Sequence, residues 1–293
     1  MLVNFISFAQ QDAQFTQYMY NTININPAYA GSRDVFGVFV LHRSQWVGMD
    51  GAPVTNTIAI NSPIGDSNLG LGVSLINDKI GPTNENNVAI DISYSINTSE
   101  KFKLSFGLKA NATIFKLDVS KLNPLDQNDP QFQNLNNTFK SNIGAGIYLH
   151  SDKAYFGFSI PKLIESKHYD DNSVAIYTEK INYYVIAGYV FEFNSNLKFK
   201  PSLLTKAVQG APLQVDISGN FLINEKFVLG MAYRWSAAVS GMVGYQISNR
   251  MFLGYGYDLE TTNLSNYNSG SHEVFLRYEI NMKNKRIVSP RFF

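Results

Sequence analysis

The 293-residue chain contains no cysteine, which excludes disulfide bonds, thiolate zinc sites and a lipid-bearing N-terminal cysteine. Charged residues make up only 16%, well below the roughly 25% of ordinary soluble domains. The net charge is +1, so there is no basic excess to replace the counterions of a nucleic acid. No apolar run approaches the ~18 residues of a membrane-spanning helix. The chain is therefore either soluble or crosses a membrane as a barrel, the other fold that satisfies its backbone in lipid.

Aromatic residues are abundant, at 14% of the chain, with 17 Tyr and 21 Phe. From Val35 onward, segments of about 8–12 residues alternate apolar with small or polar side chains, which is typical of β-strands. In 88–96, for example, Ile90 and Ile92 lie on one face and Asp91 and Ser93 on the other. About fourteen segments share this pattern: 35–42, 54–61, 69–77, 88–96, 102–112, 143–149, 154–160, 181–193, 197–207, 213–219, 227–233, 237–245, 251–257 and 272–278.

The connections between these segments alternate in length. One set is short and rich in Asn, Ser, Asp and charged residues: 62–68, 97–101, 151–152, 194–196, 222–226 and 248–250. The other set contains the long connections, 43–53, 78–87, 116–142, 161–180 and 258–270, with 209–212 and 235–236 as short exceptions. Short periplasmic turns and longer external loops are typical of outer-membrane barrels. The sequence therefore predicts an all-β fold, a transmembrane antiparallel β-barrel of about 14 strands, whose even strand number puts both termini on the periplasmic side.

The polar strand residues repeat on one face of each segment, which in a barrel faces a wet lumen while the apolar face meets lipid. The predicted lumen residues are Lys103, Lys109, Asn111, Lys198, Lys200, Lys206, Asp91, Asp216 and Glu192. A soluble all-β protein, in which this face would meet water, remains the alternative. Glycines in the strands, as in Gly70-Leu71-Gly72, are interpreted as sites of bending or close packing.

The two ends of the chain fall outside the alternating pattern. Residues 1–9 end in Ser7-Phe8-Ala9, the small-x-small pattern before a signal cleavage site, and are interpreted as a signal-peptide remnant. A frayed apolar end is the alternative, since the basic start of a signal is missing. Residues 10–34 form a non-barrel segment in the periplasm or inside the lumen. The barrel then occupies 35–280, and 281–293 form a C-terminal tail.

Residues that could support chemistry are scattered. The four histidines do not cluster as metal ligands would. In Ser271-His272-Glu273, adjacent side chains point to opposite faces of a strand, so His272 points away from the other two. The loop 117–137 offers oxygen ligands (Asp118, Asp126, Asn128 and Asp129), but it lacks the spacing and glycine of an EF-hand, so turn formation is the preferred reading. We expect no catalytic residue, no cofactor and no metal, and hence no enzyme.

Several stretches together resemble one known family, the PorP/SprF outer-membrane proteins of the type IX secretion system of Bacteroidetes. They are residues 14–21, 25–32, 43–48 with 51–53, 76–83, 129–132, 158–161, 271–273 and 289–293. The resemblance covers essentially the whole chain. It implies an outer-membrane barrel that helps to export and attach surface proteins carrying type IX C-terminal signals, including adhesins used in gliding motility. It also implies periplasmic secretion-ring or lipoprotein components as partners, and it supplies no catalytic residue.

Eight residues in the first 46 are candidate contacts, either with a partner or as a plug inside the barrel: Phe15, Tyr18, Tyr20, Asn26, Pro27, Tyr29, Arg43 and Trp46. Tyr and Trp are residue types that carry binding energy when buried at interfaces. The loop 43–53 is expected on the far side of the membrane from the lead-in segment, unless that segment threads the lumen. A diffusion porin for small solutes is the functional alternative to a secretion component, and it predicts an open, charged lumen.

Overall fold

The computed structural model describes residues 15–118, 121, 138–169 and 175–280. Its main element is a closed antiparallel barrel of 14 strands. The strands are β1 (Phe36–Ser44), β2 (Val54–Pro63), β3 (Leu69–Ile80), β4 (Thr83–Asn97), β5 (Lys103–Leu117), β6 (Thr138–His150), β7 (Ala154–Ile160), β10 (Asn182–Tyr189) with β11 (Phe191–Asn194), β12 (Leu197–Val208), β13 (Gln214–Ile223), β14 (Phe227–Arg234), β15 (Ala238–Ser248), β16 (Met251–Glu260) and β17 (Ser271–Ile280). A separate hairpin of β8 (Ser166–Tyr169) and β9 (Ala175–Glu179) lies in the connection after β7.

The barrel closes because its first and last strands pair along their whole length. The β1–β17 register runs from Phe36↔Ile280 to Ser44↔His272. β10 and β11 form one barrel strand, interrupted at Val190, since both pair with β12. The predicted all-β barrel of about 14 strands is confirmed, and each predicted segment falls on one barrel strand.

The two ends of the barrel differ in the length of the connections between strands. The short-turn end carries residues 64–68, 98–102, 151–153, 195–196, 224–226 and 249–250, and the long-loop end carries 45–53, 81–82, 118–137, 161–181, 209–213, 235–237 and 261–270. One predicted long loop, 78–87, is wrong. The strands β3 and β4 continue to Ile80 and from Thr83, joined by a tight turn at Gly81, whose φ is +53°.

The β3–β4 hairpin extends past the end of the apolar alternation because polar side chains bridge its strands. Asn77 Nδ2 donates to Asn84 Oδ1 at 2.8 Å and to Asn86 Oδ1 at 2.9 Å. On its other side the hairpin is tied to β5, where Asn87 Nδ2 donates to Thr113 Oγ1 at 2.7 Å. Backbone pairing and side-chain amides thus keep these residues in strands, although the sequence there no longer alternates between apolar and polar residues.

The two faces of the strands have opposite polarity, as expected. Ile90 is 53% exposed on the outer surface, whereas the next residue, Asp91, is fully buried inside. Lys109, Lys200 and Lys206 are also buried on the inner face. Glu192, in contrast, is exposed near the short-turn end and pairs with Lys153. Within the described residues, none of the helices is long and apolar enough to cross a membrane.

The lumen is filled by the chain's own residues 15–34, here called the plug. The plug consists of a 3-10 turn (Tyr18–Tyr20), the helical turn α1 (Thr22–Ile25) and a second 3-10 turn (Pro27–Tyr29). Nearly all of its side chains from Phe15 to Arg33 are buried. The main buried apolar cluster of the molecule therefore lies between the plug and the inner wall.

Candidate functional site

The plug runs along the lumen from one end of the barrel to the other. Its start contacts Arg43, which lies near the long-loop end of β1, and its last residues approach the short-turn end. There Arg33 Nε lies 2.9 Å from Glu279 Oε1, and Asp34 forms an exposed ion pair with Lys103 at 3.3 Å. The lead-in segment therefore threads the lumen.

A buried ion network holds the start of the plug to the closing strands. Arg43, 1% exposed, pairs through Nη2 with Asp258 at 2.7 Å and through Nη1 with Glu273 at 3.2 Å. Arg43 Nη1 also donates to Thr16 Oγ1 at 2.7 Å, and that hydroxyl donates to Asp258. The two oxygens of Glu273 accept the backbone N–H groups of Thr16 (3.0 Å) and Gln17 (2.9 Å). We call these five residues the latch.

The latch brings together residues that were expected on opposite sides of the membrane unless the lead-in segment threads the lumen. Arg43 was assigned to an outer loop, separate from the lead-in, and Asp258 to another outer loop. Arg43 lies in β1 and Asp258 in β16, and both face inward. The structure shows the alternative, in which the plug passes through the lumen and reaches the level of these side chains.

Glycines on one half of the inner wall let the plug backbone approach closely. A Cβ at Gly107 would lie 2.2 Å from Ala28 N, and one at Gly70 would lie 2.2 Å from Ala30 O. A Cβ at Gly72 would meet the Ile23 side chain at 2.3 Å. At Gly70 and Gly107 the plug backbone leaves no room for a methyl group, and Gly72 packs against the end of the Ile23 side chain. The predicted close-packing role of Gly70 and Gly72 is therefore observed.

The Asn26-Pro27 turn anchors the middle of the plug to this glycine-lined wall. Asn26 Nδ2 donates to the Ile147 carbonyl at 2.9 Å, while its Oδ1 caps the following turn by accepting from Ala28 N at 3.0 Å. Pro27 occupies the first position of that turn, where its missing N–H costs nothing. Neighbouring plug carbonyls are also used: Ser93 Oγ donates to Ala30 O at 2.6 Å, and Ser159 Oγ donates to Ile25 O at 2.9 Å.

Aromatic rings fill the space on both sides of the plug. Tyr20 lies 4.9 Å from Phe275 and 5.5 Å from Phe252, between ring centroids. Tyr29 meets Tyr148 edge to face at 5.5 Å. Such pairs contribute about 0.5–1.5 kcal/mol each beyond the area they bury. The aromatic lead-in residues therefore pack against the barrel's own wall.

A vestibule lies above the plug and opens at the long-loop end. It encloses about 1290 Å³ of space not occupied by atoms, part of it continuous with solvent. Phe15, Tyr18 and Ile25 of the plug line it. Charged and polar wall residues surround this apolar floor: Asp78, Glu85, Asn87, Lys109, Asn111, Lys162, Lys206, Gln214, Asp216 and Arg234. The loop residue Pro161 also folds over this space, because Asn111 Nδ2 donates to its carbonyl at 3.2 Å.

Charged side chains line the vestibule on both sides of the barrel. Asp78 and Glu85 stand on the β3–β4 hairpin, whereas Lys206 and Arg234 stand on β12 and β14, about half-way round the 14-strand barrel. Arg234 Nε pairs with Asp216 at 3.0 Å. The vestibule therefore combines an apolar floor with walls that carry charges of both signs.

Trp46 is the one predicted contact residue outside the lumen. It lies in the first long loop with φ +45°, a left-handed conformation that is uncommon for residues other than glycine. Its Nε1 donates to Glu260 Oε1 at 2.9 Å and its backbone N–H donates to Ser271 Oγ at 3.2 Å. These bonds tie the loop to β16 and β17 at the long-loop end.

The other seven predicted residues lie in the plug or the latch: Phe15, Tyr18, Tyr20, Asn26, Pro27, Tyr29 and Arg43. Sequence reasoning missed their wall partners Asp258 and Ser159 and gave Glu273 no role. The alternation did predict that Glu273 lies on the same strand face as Ser271, and this was the available signal for Glu273. The structure shows both side chains buried and His272 pointing away from them.

Among the described residues, no group of His, Asp and Glu is arranged to hold a metal ion. Of the loop residues considered as calcium ligands, Asp118 forms an ion pair with Lys121 at 3.2 Å. Asp126, Asn128 and Asp129 lie outside the described residues. The same holds for residues 1–9 and 281–293, interpreted as signal remnant and tail.

Comparison with known proteins gives a family and a fold. The family model described as type IX secretion system membrane protein PorP/SprF matches residues 7–278. No curated protein sequence matches the chain. Among solved structures, the TodX deltaS2S3 mutant monoaromatic hydrocarbon channel superposes with a TM-score of 0.53 at 9% identity, covering 89% of this chain and 94% of that one. The deltaS2 mutant of the same channel gives 0.52 at 9% identity, covering 90% and 94%. At such low identity these likenesses show the barrel fold alone.

Proposed function

Because the chain belongs to the PorP/SprF family of type IX secretion system membrane proteins, we propose that it is a non-enzymatic outer-membrane barrel that supports export and surface attachment of cargo proteins. The cargo we propose carries type IX C-terminal signals, as adhesins used in gliding do. Periplasmic secretion-ring or lipoprotein components are the proposed partners on the other side of the membrane. The source we propose is a Bacteroidetes outer membrane, with the short-turn end in the periplasm.

The observation that carries this proposal is that the lumen is filled by the chain's own plug while a vestibule stays open at the long-loop end. A barrel closed in this way suits holding a protein at the surface better than passing solutes. The mixture of apolar floor and charged walls suits a polypeptide, which presents apolar, polar and charged groups together. In the proposed orientation the vestibule faces the cell exterior, where attached cargo must be held.

A second surface suits a periplasmic partner. At the short-turn end, a polar cleft of about 540 Å³ lies beside the exit of the plug. Ser32 and Asp34 of the plug line it together with Lys103 and His150 of the wall. A partner that binds here would contact the barrel and the plug at once.

The diffusion porin remains the second candidate, supported by the fold shared with the TodX channel. It requires an open lumen, whereas residues 15–34 occupy the lumen here. Planar-bilayer recording of the purified protein separates the two. We expect no steady conductance, and a stable open-channel current in the unmodified protein would favour the porin.

The attachment role is tested in cells that lack the gene. Surface proteins are labelled with a membrane-impermeant biotin reagent and identified by mass spectrometry, with and without a plasmid copy of the wild-type gene. We expect a small set of surface proteins to disappear in the deletion strain and to return on complementation. An unchanged set of surface proteins would contradict the proposal, whatever the bilayer result.

A further inference from the structure

The outer surface of the barrel carries a cationic patch at its long-loop end. Lys79 of β3 and Lys116 of β5 are both exposed, and both stand opposite Asn84 of β4 in the strand pairing. They share the strand faces of Leu75 and Ile114, which are exposed on the outer surface. Neighbouring strands lie about 4.8 Å apart, so the backbones of the two lysines are only ~10 Å apart. We call Lys79, Asn84 and Lys116 the outer patch.

The outer patch lies just beyond the apolar band that faces lipid. On β4 this band consists of outward residues that are each at least 39% exposed: Val88, Ile90, Ile92, Tyr94 and Ile96. Lys79 and Asn84 stand two outward positions beyond the last apolar residue of their strands, and Lys116 stands one beyond. One outward position is about 5 Å of height in a barrel with tilted strands. The patch is therefore about 5–10 Å above the band, at the depth of the lipid headgroups.

The outer patch offers hydrogen-bond donors and positive charge, with no negative charge beside them. The outward positions of β1 to β5 carry no carboxylate, since Asp78 and Glu85 of the same hairpin line the vestibule. Asn84 Oδ1 accepts from Asn77, which leaves the Nδ2 group of Asn84 as a donor. Lysine ammonium groups are common partners of phosphate oxygens. The patch thus has the charge and the donors that suit a phosphate group.

The opposite side of the barrel differs at the same height. There the outward residues nearest the long-loop end are apolar or aromatic and between 46% and 66% exposed: Leu213, Tyr233, Trp235 and Leu259. The cations of these strands, Lys206 and Arg234, line the vestibule instead. Tyr and Trp suit a membrane interface of any lipid, whereas paired lysines favour an anionic one. Positive charge at this level is therefore confined to one side of the wall and does not form a ring around it.

We propose that Lys79, Asn84 and Lys116 bind the phosphate-bearing headgroup of an anionic membrane lipid. The acyl chains of this lipid lie along the apolar band of β4 and β5 directly below the patch. This continuity favours a lipid over a soluble anion, which gains nothing from the apolar band. The inference rests on the membrane location of the family, and it depends neither on the secretion role nor on which end faces the cell exterior.

The test titrates the detergent-purified full-length protein with dimyristoyl phosphatidylglycerol and counts bound lipid by native mass spectrometry. For the wild type we expect saturable binding. The double variant Lys79→Gln, Lys116→Gln should bind ~30-fold more weakly, because each lysine near an anionic surface contributes about a factor of five. The matched control, Lys101→Gln with Lys226→Gln, removes the same charge from two exposed lysines in separate short turns. It should bind like the wild type.

Two further ligands identify the source of the phosphate. Dimyristoyl phosphatidylcholine, which has the same chains but no net charge, should bind more weakly than phosphatidylglycerol. Sodium phosphate at the concentration of the lipid should not displace it, and displacement would overturn the lipid assignment in favour of free phosphate. The proposal is also overturned if the double variant keeps full binding, if the control pair loses as much, or if both lipids bind equally. If the double variant does not fold, the structure of the wild type in phosphatidylglycerol nanodiscs decides, by headgroup density between Lys79 and Lys116 or its absence.

Discussion

At the scale of single residues, the latch shows why charge inside a barrel need not indicate an open channel. Asp258 and Glu273 are 2% and 0% exposed, and one guanidinium, that of Arg43, lies between them. The remaining negative charge is met by a hydroxyl and two backbone N–H groups of the plug. The plug therefore completes a network that the wall alone leaves unsatisfied.

Replacing Arg43 by Met should destabilise the protein strongly. It leaves two buried carboxylates without their cation, and breaking a buried pair in this way costs about 3–5 kcal/mol. The measurement is the temperature at which the detergent-purified barrel loses its fast, folded mobility on an SDS gel. Lys153→Met is the control, since Lys153 pairs with Glu192 at 2.8 Å on the exposed surface, where ion pairs contribute little. Equal unfolding temperatures for the two variants would refute a stabilising role for the latch.

These residues also show the limit of reading charge from sequence. Arg43 and Asp258 were expected in loops because each directly follows an alternating segment, 35–42 and 251–257. Alternation reports the difference between lipid and lumen, but it does not report which lumen charges neutralise each other across the barrel. Arg43 and Asp258 are separated by 215 positions in the chain, and their meeting depends on closure of β1 on β17.

At the scale of elements, the strands were predictable, whereas the plug was predictable only as one of two alternatives for residues 10–34. Each barrel strand has its own two-residue periodicity, which can be recognised in the segment alone, without knowing which strands it pairs with. The plug has no such period, because its short turns are shaped by wall contacts on several strands, such as those of Asn26 with Ile147 and of Ala30 with Ser93. The aromatic residues of the plug are equally consistent with packing inside the lumen and with contact with a partner, so composition alone could not decide between the two.

Gly107→Ala should displace the plug from its wall. The new methyl group would lie 2.2 Å from Ala28 N, and overpacking of this kind costs about 1–3 kcal/mol. We expect a lower unfolding temperature and, where the plug loosens, intermittent current in planar bilayers. Gly241→Ala is the matched control, since a Cβ there meets nothing within 4 Å. If both variants behave like the wild type, the plug does not need the glycine-lined wall.

At the scale of the whole molecule, the plug and the connections make the two ends of the barrel different. Its long-loop end has an open vestibule with Phe15 and Tyr18 in the floor, and its short-turn end has the small polar cleft. These two surfaces differ in volume and chemistry, so they suit different partners. Which one faces the cell exterior decides which partner can be secreted cargo.

The absence of native cysteine allows this direction to be measured without background labelling. Asp50→Cys places a thiol in the exposed first long loop, and Asn68→Cys places one in an exposed short turn. With short turns in the periplasm, a membrane-impermeant maleimide should label Asp50→Cys in intact cells and Asn68→Cys only after the outer membrane is permeabilised. Both variants should label fully in detergent, which shows that each thiol is reactive. The reverse pattern in intact cells would place the vestibule in the periplasm. Cargo attachment would then have to be sought at the polar cleft, where Asp34 and Lys103 lie at the exit of the plug.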